Sequence, residues 1–148
     1  MLLFLENFSH WEILSKGGDG WTIEKPPGGV KDFPKKMKDY IKIENCCFVT
    51  SYGKCLKEQV INLAAAGVSP EVMDHHQPKI KVSEWYSGRF DCESTYLLEV
   101  KLLNHDKTLA HDSSGQPLSI KISKEVGSED DCEWHKVMKI FTKYLLIE

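Results

Sequence analysis

The sequence has no apolar run close to the roughly 18 residues that a helix needs to cross a bilayer, so we expect no membrane span. It has no basic excess either, because the net charge of its 148 residues is −3. Nucleic-acid-binding domains are typically strongly basic, so we expect no nucleic-acid partner. No cofactor-binding motif is present, and the glycine cluster Gly17–Gly20 lacks the Gly-Lys-Ser/Thr ending of a phosphate loop.

Paired cysteine motifs are also missing. The chain has five cysteines, an odd number, and none of them form a CxxC pair. Reduced thiols, as in cytoplasmic proteins, fit this pattern best. The apolar start Met1–Leu5 is interrupted by Glu6 and has no basic residue before it, so it does not resemble a signal peptide. We therefore expect a cytoplasmic protein.

Composition is that of a globular domain, with 41% apolar and 28% charged residues. The length suits one domain with one core, which we assign to residues 1–148. The basic cluster Lys35–Lys38 is interpreted as a solvated loop, since short charge runs usually face water.

Alternating apolar and polar residues predict several short strands. In Tyr96–Leu102 one face, which is predicted to be buried, carries Tyr96, Leu98, Val100 and Leu102. Leu97 and Leu103 are also apolar, which predicts that the other face is partly covered. Val60 and Ile61 suggest a further buried strand. The predicted strands are Cys47–Tyr52, Lys57–Leu63, Lys79–Ser83, Tyr96–Leu102, Thr108–Ala110, Leu118–Ile122 and, as the last strand, Trp134–Phe141.

Turns and one helix complete the pattern. Ser69 and Pro70 are typical of a helix start and Pro78 of a stop, so Ser69–His76 predicts a short helix. Asn104–Lys107 predicts a hairpin turn and Ser128–Asp131 an acidic turn. Short strands with one brief helix predict an all-β fold, an antiparallel β-sandwich.

Catalytic or metal chemistry has little support. Adjacent His75 and His76 point in different directions on a helix, and their cationic forms suit its C-terminal end. Cys55 lacks the surroundings of a known thiol nucleophile. Asp91 and Glu93 could be spaced like a glycosidase pair, but solvated loop acids explain them better. We expect no enzyme, no metal and no cofactor.

A set of aromatic and polar residues near strand ends is more suggestive of binding: Tyr52, Trp85, Tyr86, Arg89 and Asp91. Aromatic rings cover the C–H faces of a hydroxyl-rich ligand while polar neighbours form hydrogen bonds. Trp85 and Tyr86 are neighbours on a strand, so at least one of them should belong to the core.

The chain resembles the F-box-associated domain from about Leu2 to Tyr144. The blocks that carry the resemblance are Gly17–Trp21, Ser51–Tyr52 with Cys55, Gln59–Ile61, Gln77–Pro78, Trp85–Arg89 with Asp91, and Tyr96–Leu103. They are dispersed but occur in the family's order.

The resemblance implies an antiparallel sandwich of jelly-roll, galactose-binding-like type. Sugar-binding members of the family recognise the chitobiose core of high-mannose N-glycans. They deliver misfolded glycoproteins to a Skp1–cullin ubiquitin ligase for degradation. Carried over to this chain, the stacking ring falls at Tyr52 and the sugar-binding acid at Asp91. We predict that both are partly exposed at one end of the sandwich.

Two departures from the family pattern limit this expectation. Lys54 stands at a sugar-site position where sugar binders commonly have tryptophan. The family's later strands, with a tyrosine–tryptophan pair, and its F-box do not occur among the 148 residues. We therefore expect weak chitobiose binding, self-association or low stability, and a Skp1–cullin partner only where an F-box is supplied elsewhere. Two functions stay open: glycoprotein recognition, or a protein-binding or structural role without sugar binding.

Overall fold

Antiparallel pairing joins the strands of this chain in the computed structural model, which describes residues 8–38, 46–127, 132–142 and 144–145. The chain divides into two compact units, Met1–Asn62 and Leu63–Glu148. Within the described residues, no helix is long and apolar enough to cross a membrane. The predicted fold class, an all-β antiparallel sandwich, is confirmed.

The first unit contains four strands and one short helix: β1 (Glu12–Lys16), β2 (Trp21–Glu24), α1 (Lys35–Lys38), β3 (Cys47–Thr50) and β4 (Cys55–Glu58). Strand β1 pairs with β4, and β2 pairs with β3. One turn joins β1 to β2 and another joins β3 to β4. Because β1 pairs with β4 and β2 with β3, the two turns lie next to each other.

Helix α1 corrects the interpretation of Lys35–Lys38 as a loop. The Met37 N–H donates to the Pro34 carbonyl at 2.8 Å, and Met37 is buried. Proline is favoured at the start of a helix because its fixed φ suits the first turn. One apolar side chain among three lysines anchors this helical turn, and the charge pattern of the sequence did not indicate it.

The second unit contains six strands and a π-helical turn: Val72–His76 (π-helix), β5 (Ile80–Tyr86), β6 (Ser94–Lys101), β7 (His111–Asp112), β8 (Ser119–Val126), β9 (His135–Phe141) and β10 (Tyr144–Leu145). The pairs are β5 with β9, β6 with β8 and β7 with β10. These bounds confirm the predicted helix and most of the predicted strands.

Alternation in β6 places side chains as predicted. Tyr96, Leu98 and Val100 are half-buried, whereas the residues between them are exposed. The hairpin at Asn104 is confirmed too, because the Asn104 N–H donates to the Thr108 carbonyl at 2.9 Å. The predicted acidic turn Ser128–Asp131 lies outside the described residues.

Tyr144 anchors the core of the second unit. It is buried against Met73, Leu102 and Ala110. Its hydroxyl donates to the Pro78 carbonyl at 2.8 Å, and its own carbonyl accepts from Gln77 Nε2 at 2.8 Å. Because Tyr144 begins β10, the prediction that Trp134–Phe141 is the last strand is wrong.

The predicted strand Lys57–Leu63 is also wrong in its second half. Strand β4 ends at Glu58, and Val60 beyond it is 72% exposed, with Ile61 also exposed. The strand that pairs with β1 is Cys55–Glu58, which precedes this apolar group. Apolar content alone therefore placed the strand too late in the sequence.

Candidate functional site

Two turns of the first unit pack directly on each other. The Gly17 N–H donates to the Lys54 carbonyl at 3.1 Å, and the same carbonyl accepts from Ser15 Oγ at 2.8 Å. Ser51 Oγ donates to Asp19 Oδ2 at 3.1 Å. We call the turn Ser51–Lys54 together with its support Gly17–Gly20 the braced turn.

Two glycines make this close approach geometrically feasible. A Cβ at Gly17 would lie 2.5 Å from the Lys54 nitrogen, and a Cβ at Gly53 would lie 2.5 Å from the Gly18 nitrogen. Real Cβ atoms do not approach backbone atoms this closely, so only glycine fits at either position. The glycine cluster identified in the sequence thus acts as a support for a second turn 35 or so residues later in the chain.

The braced turn displays Tyr52 to solvent. The side chain of Tyr52 is 90% exposed, although it is a large aromatic ring. Lys54, two residues later, is also exposed. An aromatic ring held on a rigid backbone offers a flat surface at little entropic cost, because its anchoring turn is already fixed.

A cluster of aromatic rings fixes the strands beneath this turn. Phe48 contacts Phe8 with ring centroids 4.7 Å apart and Trp11 at 5.9 Å. Lys57 Nζ lies 3.3 Å from the centroid of the Trp11 ring and 4.4 Å from that of Phe48. Such cation–π contacts stabilise a lysine over an apolar surface.

The sequence analysis missed this role of Lys57. Its neighbours along the chain are polar or lie on other faces, and the rings that it covers come from three separate segments. The available signal was the concentration of Trp and Phe just before β1 and on β2 and β3.

Asp91 belongs to the second unit, in the turn between β5 and β6. Asp91 and Glu93 are both exposed, and the adjacent Phe90 is 65% exposed. The turn begins at Gly88, which is buried. A Cβ at this position would lie 2.8 Å from Cγ1 of Val126. Phe90 was missed by the sequence analysis, although an apolar residue among turn-forming residues was a usable signal.

The structure thus brings Tyr52 and Lys54 together on one turn and puts Asp91 on another, in the other unit. The exposure expected of Tyr52 and Asp91 is present. Their approach to each other stays a prediction, as does their role in sugar binding.

Tyr86 has a structural role. Its ring stacks on that of Tyr96 with centroids 4.0 Å apart and planes 8° from parallel. Tyr96 Oη donates to Glu84 Oε2 at 2.6 Å, so the stack is tied to β5. Burial, and then the Glu84 carboxylate, raise the pKa of Tyr96 above its ordinary value.

Trp85 points to the other side of β5 from Tyr86. It is half-buried, and Lys136 Nζ lies 5.4 Å from its ring centroid. Arg89, also half-buried, completes the set proposed from the sequence. Of that set, only Tyr52 and Asp91 are exposed on turns.

The alternative chemistries find no geometric support in the described residues. No group of three or more His, Cys, Asp or Glu side chains could hold a metal ion in this part of the chain. The Cys55 thiol donates to the Gly17 carbonyl at 3.3 Å, so it contributes to the braced turn. His75 and His76 are exposed at the end of the π-helical turn.

The antiparallel strands and braced turn define an all-β domain that displays side chains from its turns. The family model described as "F-box associated region" matches residues 5–145. The chain belongs to this family.

Curated relatives agree with this assignment. F-box only protein 6 of Rattus norvegicus is 36% identical, over 94% of this chain and 45% of the relative. F-box only protein 2 of Bos taurus is 37% identical, over 94% and 44%. F-box only protein 44 of Mus musculus is 37% identical, over 94% and 50%. The chain therefore spans about half the length of the curated relatives it matches.

Proposed function

We propose that this chain is a substrate-recognition module of a ubiquitin ligase of the Skp1–cullin–F-box type. In this proposal it works in the cytoplasm on N-linked high-mannose glycoproteins that are marked for degradation, including those from the endoplasmic reticulum. Its contribution is binding, with no catalytic step of its own. In this proposal contact with Skp1 requires an F-box that is supplied elsewhere, and the names of the relatives refer to such a segment.

The observation that carries the proposal is the 90% exposure of the Tyr52 ring on a turn held by backbone contacts. Burying such a ring is normally favourable, so its display on a rigid support suits a ligand that stacks on it. A pyranose ring has C–H faces that an aromatic ring covers, and hydroxyl groups that can donate hydrogen bonds to a carboxylate such as Asp91.

Affinity for an isolated sugar should be low. One ring and one acid leave most hydroxyl groups in contact with water, whereas tight small-ligand sites enclose most of the ligand surface. We expect a dissociation constant for chitobiose on the order of a millimolar. Tighter binding to whole glycoproteins would then need additional protein contacts.

Titration with chitobiose, followed by NMR or calorimetry, tests the proposal. Tyr52→Ala should abolish binding, whereas Val60→Ala, at another exposed apolar position of the same unit, should leave it unchanged. Asp91→Asn should weaken binding more than Glu93→Gln, a matched exposed acid in the same turn. Equal binding by Tyr52→Ala and the unaltered chain would refute the assignment of Tyr52.

The second candidate is a protein-binding or structural family member that does not bind sugar. Lys54 favours it, because a flexible charged side chain replaces an aromatic platform beside Tyr52. An N-glycan array separates the two candidates. No retained glycan, together with an unchanged melting curve in the presence of chitobiose, would favour the protein-binding role.

A further inference from the structure

The outer face of the β5–β9 ribbon has an unusual composition for a solvent-facing surface. Its directly opposed pairs are Trp85 with Lys136, Ser83 with Met138 and Lys81 with Ile140. Residues two apart along a strand share a face, so these six side chains lie on one side. The opposite side holds the buried Val137 and Phe141.

Three of the six side chains form a continuous apolar strip. Met138 is 48% exposed and Ile140 46% exposed, two residues apart on β9. Trp85 is diagonal to Met138, within reach of a large aromatic ring. Contiguous exposed apolar groups that polar residues flank are typical of interaction sites.

The charges on this face have one sign. Lys136 lies opposite Trp85 at one end of the strip, Lys81 lies opposite Ile140 at the other, and no acid is among the six. The whole chain, by contrast, has a net charge of −3. Lys136 and Ile140 are four positions apart on β9, so the two ends lie about 13 Å apart at the usual rise of a strand.

The neighbouring β6–β8 ribbon shows what an ordinary solvent face looks like in the same unit. Leu97 is the apolar residue of its outer face. The same face carries two acids and two bases, Glu99, Glu125, Lys101 and Lys121. Lys101 Nζ and Glu99 Oε1 form an ion pair at 2.9 Å. The apolar and basic character is therefore specific to the β5–β9 face.

We propose that the outer face of the β5–β9 ribbon binds a partner protein through an extended apolar segment with acidic residues at both ends. The apolar centre of the partner covers Trp85, Met138 and Ile140, and its acids meet Lys81 and Lys136. Charge complementarity selects this occupant, because lysines at both ends of the strip attract acidic residues and repel a basic segment. The inference is independent of sugar binding and uses none of Tyr52, Lys54 and Asp91.

Binding of two synthetic peptides to the full chain tests the proposal. Both contain alternating leucine and threonine, and one has paired glutamates at each end where the other has paired lysines. Fluorescence anisotropy should show saturable, salt-sensitive binding of the glutamate peptide alone. Met138→Thr with Ile140→Thr should weaken it roughly tenfold or more, whereas Leu97→Thr on the other ribbon should have no effect.

A charge-reversal variant distinguishes loss of the binding face from loss of the fold. Lys81→Glu with Lys136→Glu should lose the glutamate peptide and gain the lysine peptide, and an unfolded chain would not make this exchange. The proposal is overturned by equal binding of both peptides, by no binding of either, or by an equal effect of Leu97→Thr. Self-association in light scattering that Met138→Thr with Ile140→Thr abolishes would assign the face to a second copy and also overturn it.

Discussion

The turn that carries Tyr52 and the turn that carries Asp91 are held in different ways. In the braced turn, backbone contacts backbone, so a Cβ at Gly53 would lie 2.5 Å from the Gly18 nitrogen and 2.6 Å from the Gly17 carbonyl carbon. At the second turn, a Cβ at Gly88 would meet the Val126 side chain, with Cγ1 at 2.8 Å. Backbone atoms cannot move aside without shifting two strands, whereas a side chain can change its rotamer.

This difference predicts two kinds of ligand contact. Tyr52 is presented on a fixed support, so its position costs little entropy when a ligand binds. Asp91 and Phe90 lie on a turn that packs on the Val126 side chain at Gly88 and is flanked by the Tyr86–Tyr96 stack. We therefore expect the Asp91 turn to adjust to a ligand more than the braced turn does.

The largest effect is expected for Gly53→Ala. The added methyl group overlaps backbone atoms of Gly17 and Gly18, and the free energy of unfolding should fall by about 3 kcal/mol. Thermal or urea unfolding measures it. Gly20→Ala is the matched control, because a Cβ there lies 3.5 Å from Lys16 Cβ and only its positive φ of 82° is strained. The control should lose about 1 kcal/mol of the free energy of unfolding. A similar loss in both variants would show that the backbone contacts of Gly53 do not support this turn.

Gly88→Ala should cost less, about 1–2 kcal/mol, because a flexible side chain is the obstacle. The comparison is sharpened by a double-mutant cycle with Val126→Ala. Removing the valine methyl groups makes room for the new Cβ, so the double variant should be more stable than the sum of the single losses predicts. Strict additivity would show that Val126 does not support this turn.

Local patterns in the sequence predicted the elements but not their supports. The alternation of Tyr96, Leu98 and Val100 predicted the buried face of β6, because a strand fixes the direction of every second side chain. Ser69 predicted the helix start, and its Oγ does accept from the Val72 N–H at 3.3 Å. Such signals are local, so a sequence shows them directly.

Contacts between distant segments were not predictable in this way. The glycines of the braced turn were identified as turn residues, but nothing local indicates that Gly17 packs on Gly53. The position of Lys57 over the Trp11 ring depends on the β1–β4 register. The apolar Met138 and Ile140 were expected in a strand, but which face of that strand meets solvent depends on what packs beneath it.

Tyr96→Phe tests the clamp at the base of the Asp91 turn. It removes the 2.6 Å hydrogen bond to the half-buried Glu84 carboxylate, and we expect a loss of about 1 kcal/mol at neutral pH. The raised pKa of Tyr96 adds a pH signature, because the folded state holds the phenol proton more tightly than the unfolded state. Its contribution is complete below the ordinary value of 10.0 and is lost as pH rises above it.

The stability difference between the unaltered chain and Tyr96→Phe should therefore shrink above pH 10, in urea unfolding at several pH values. Other tyrosines are common to both proteins, so their titration cancels in this difference. A stability difference that stays constant or widens at alkaline pH would show that the Tyr96 phenol does not donate a hydrogen bond to Glu84 in the folded state.

Ser51→Ala should have the smallest effect and separates side-chain from backbone support in the braced turn. Ser51 Oγ donates to Asp19 Oδ2 at 3.1 Å, but this contact is exposed, so water replaces it when the hydroxyl is removed. The Gly17–Lys54 backbone hydrogen bond and the glycine contacts stay in place. We expect a loss of about 0.5 kcal/mol or less in thermal unfolding, and chitobiose titrations that match those of the unaltered chain. Asp19→Asn, which keeps an acceptor for Ser51, is the matched control for this hydrogen bond. A loss from Ser51→Ala as large as that from Gly53→Ala would mean that the side-chain hydrogen bond, and not the backbone contact, holds Tyr52 in place.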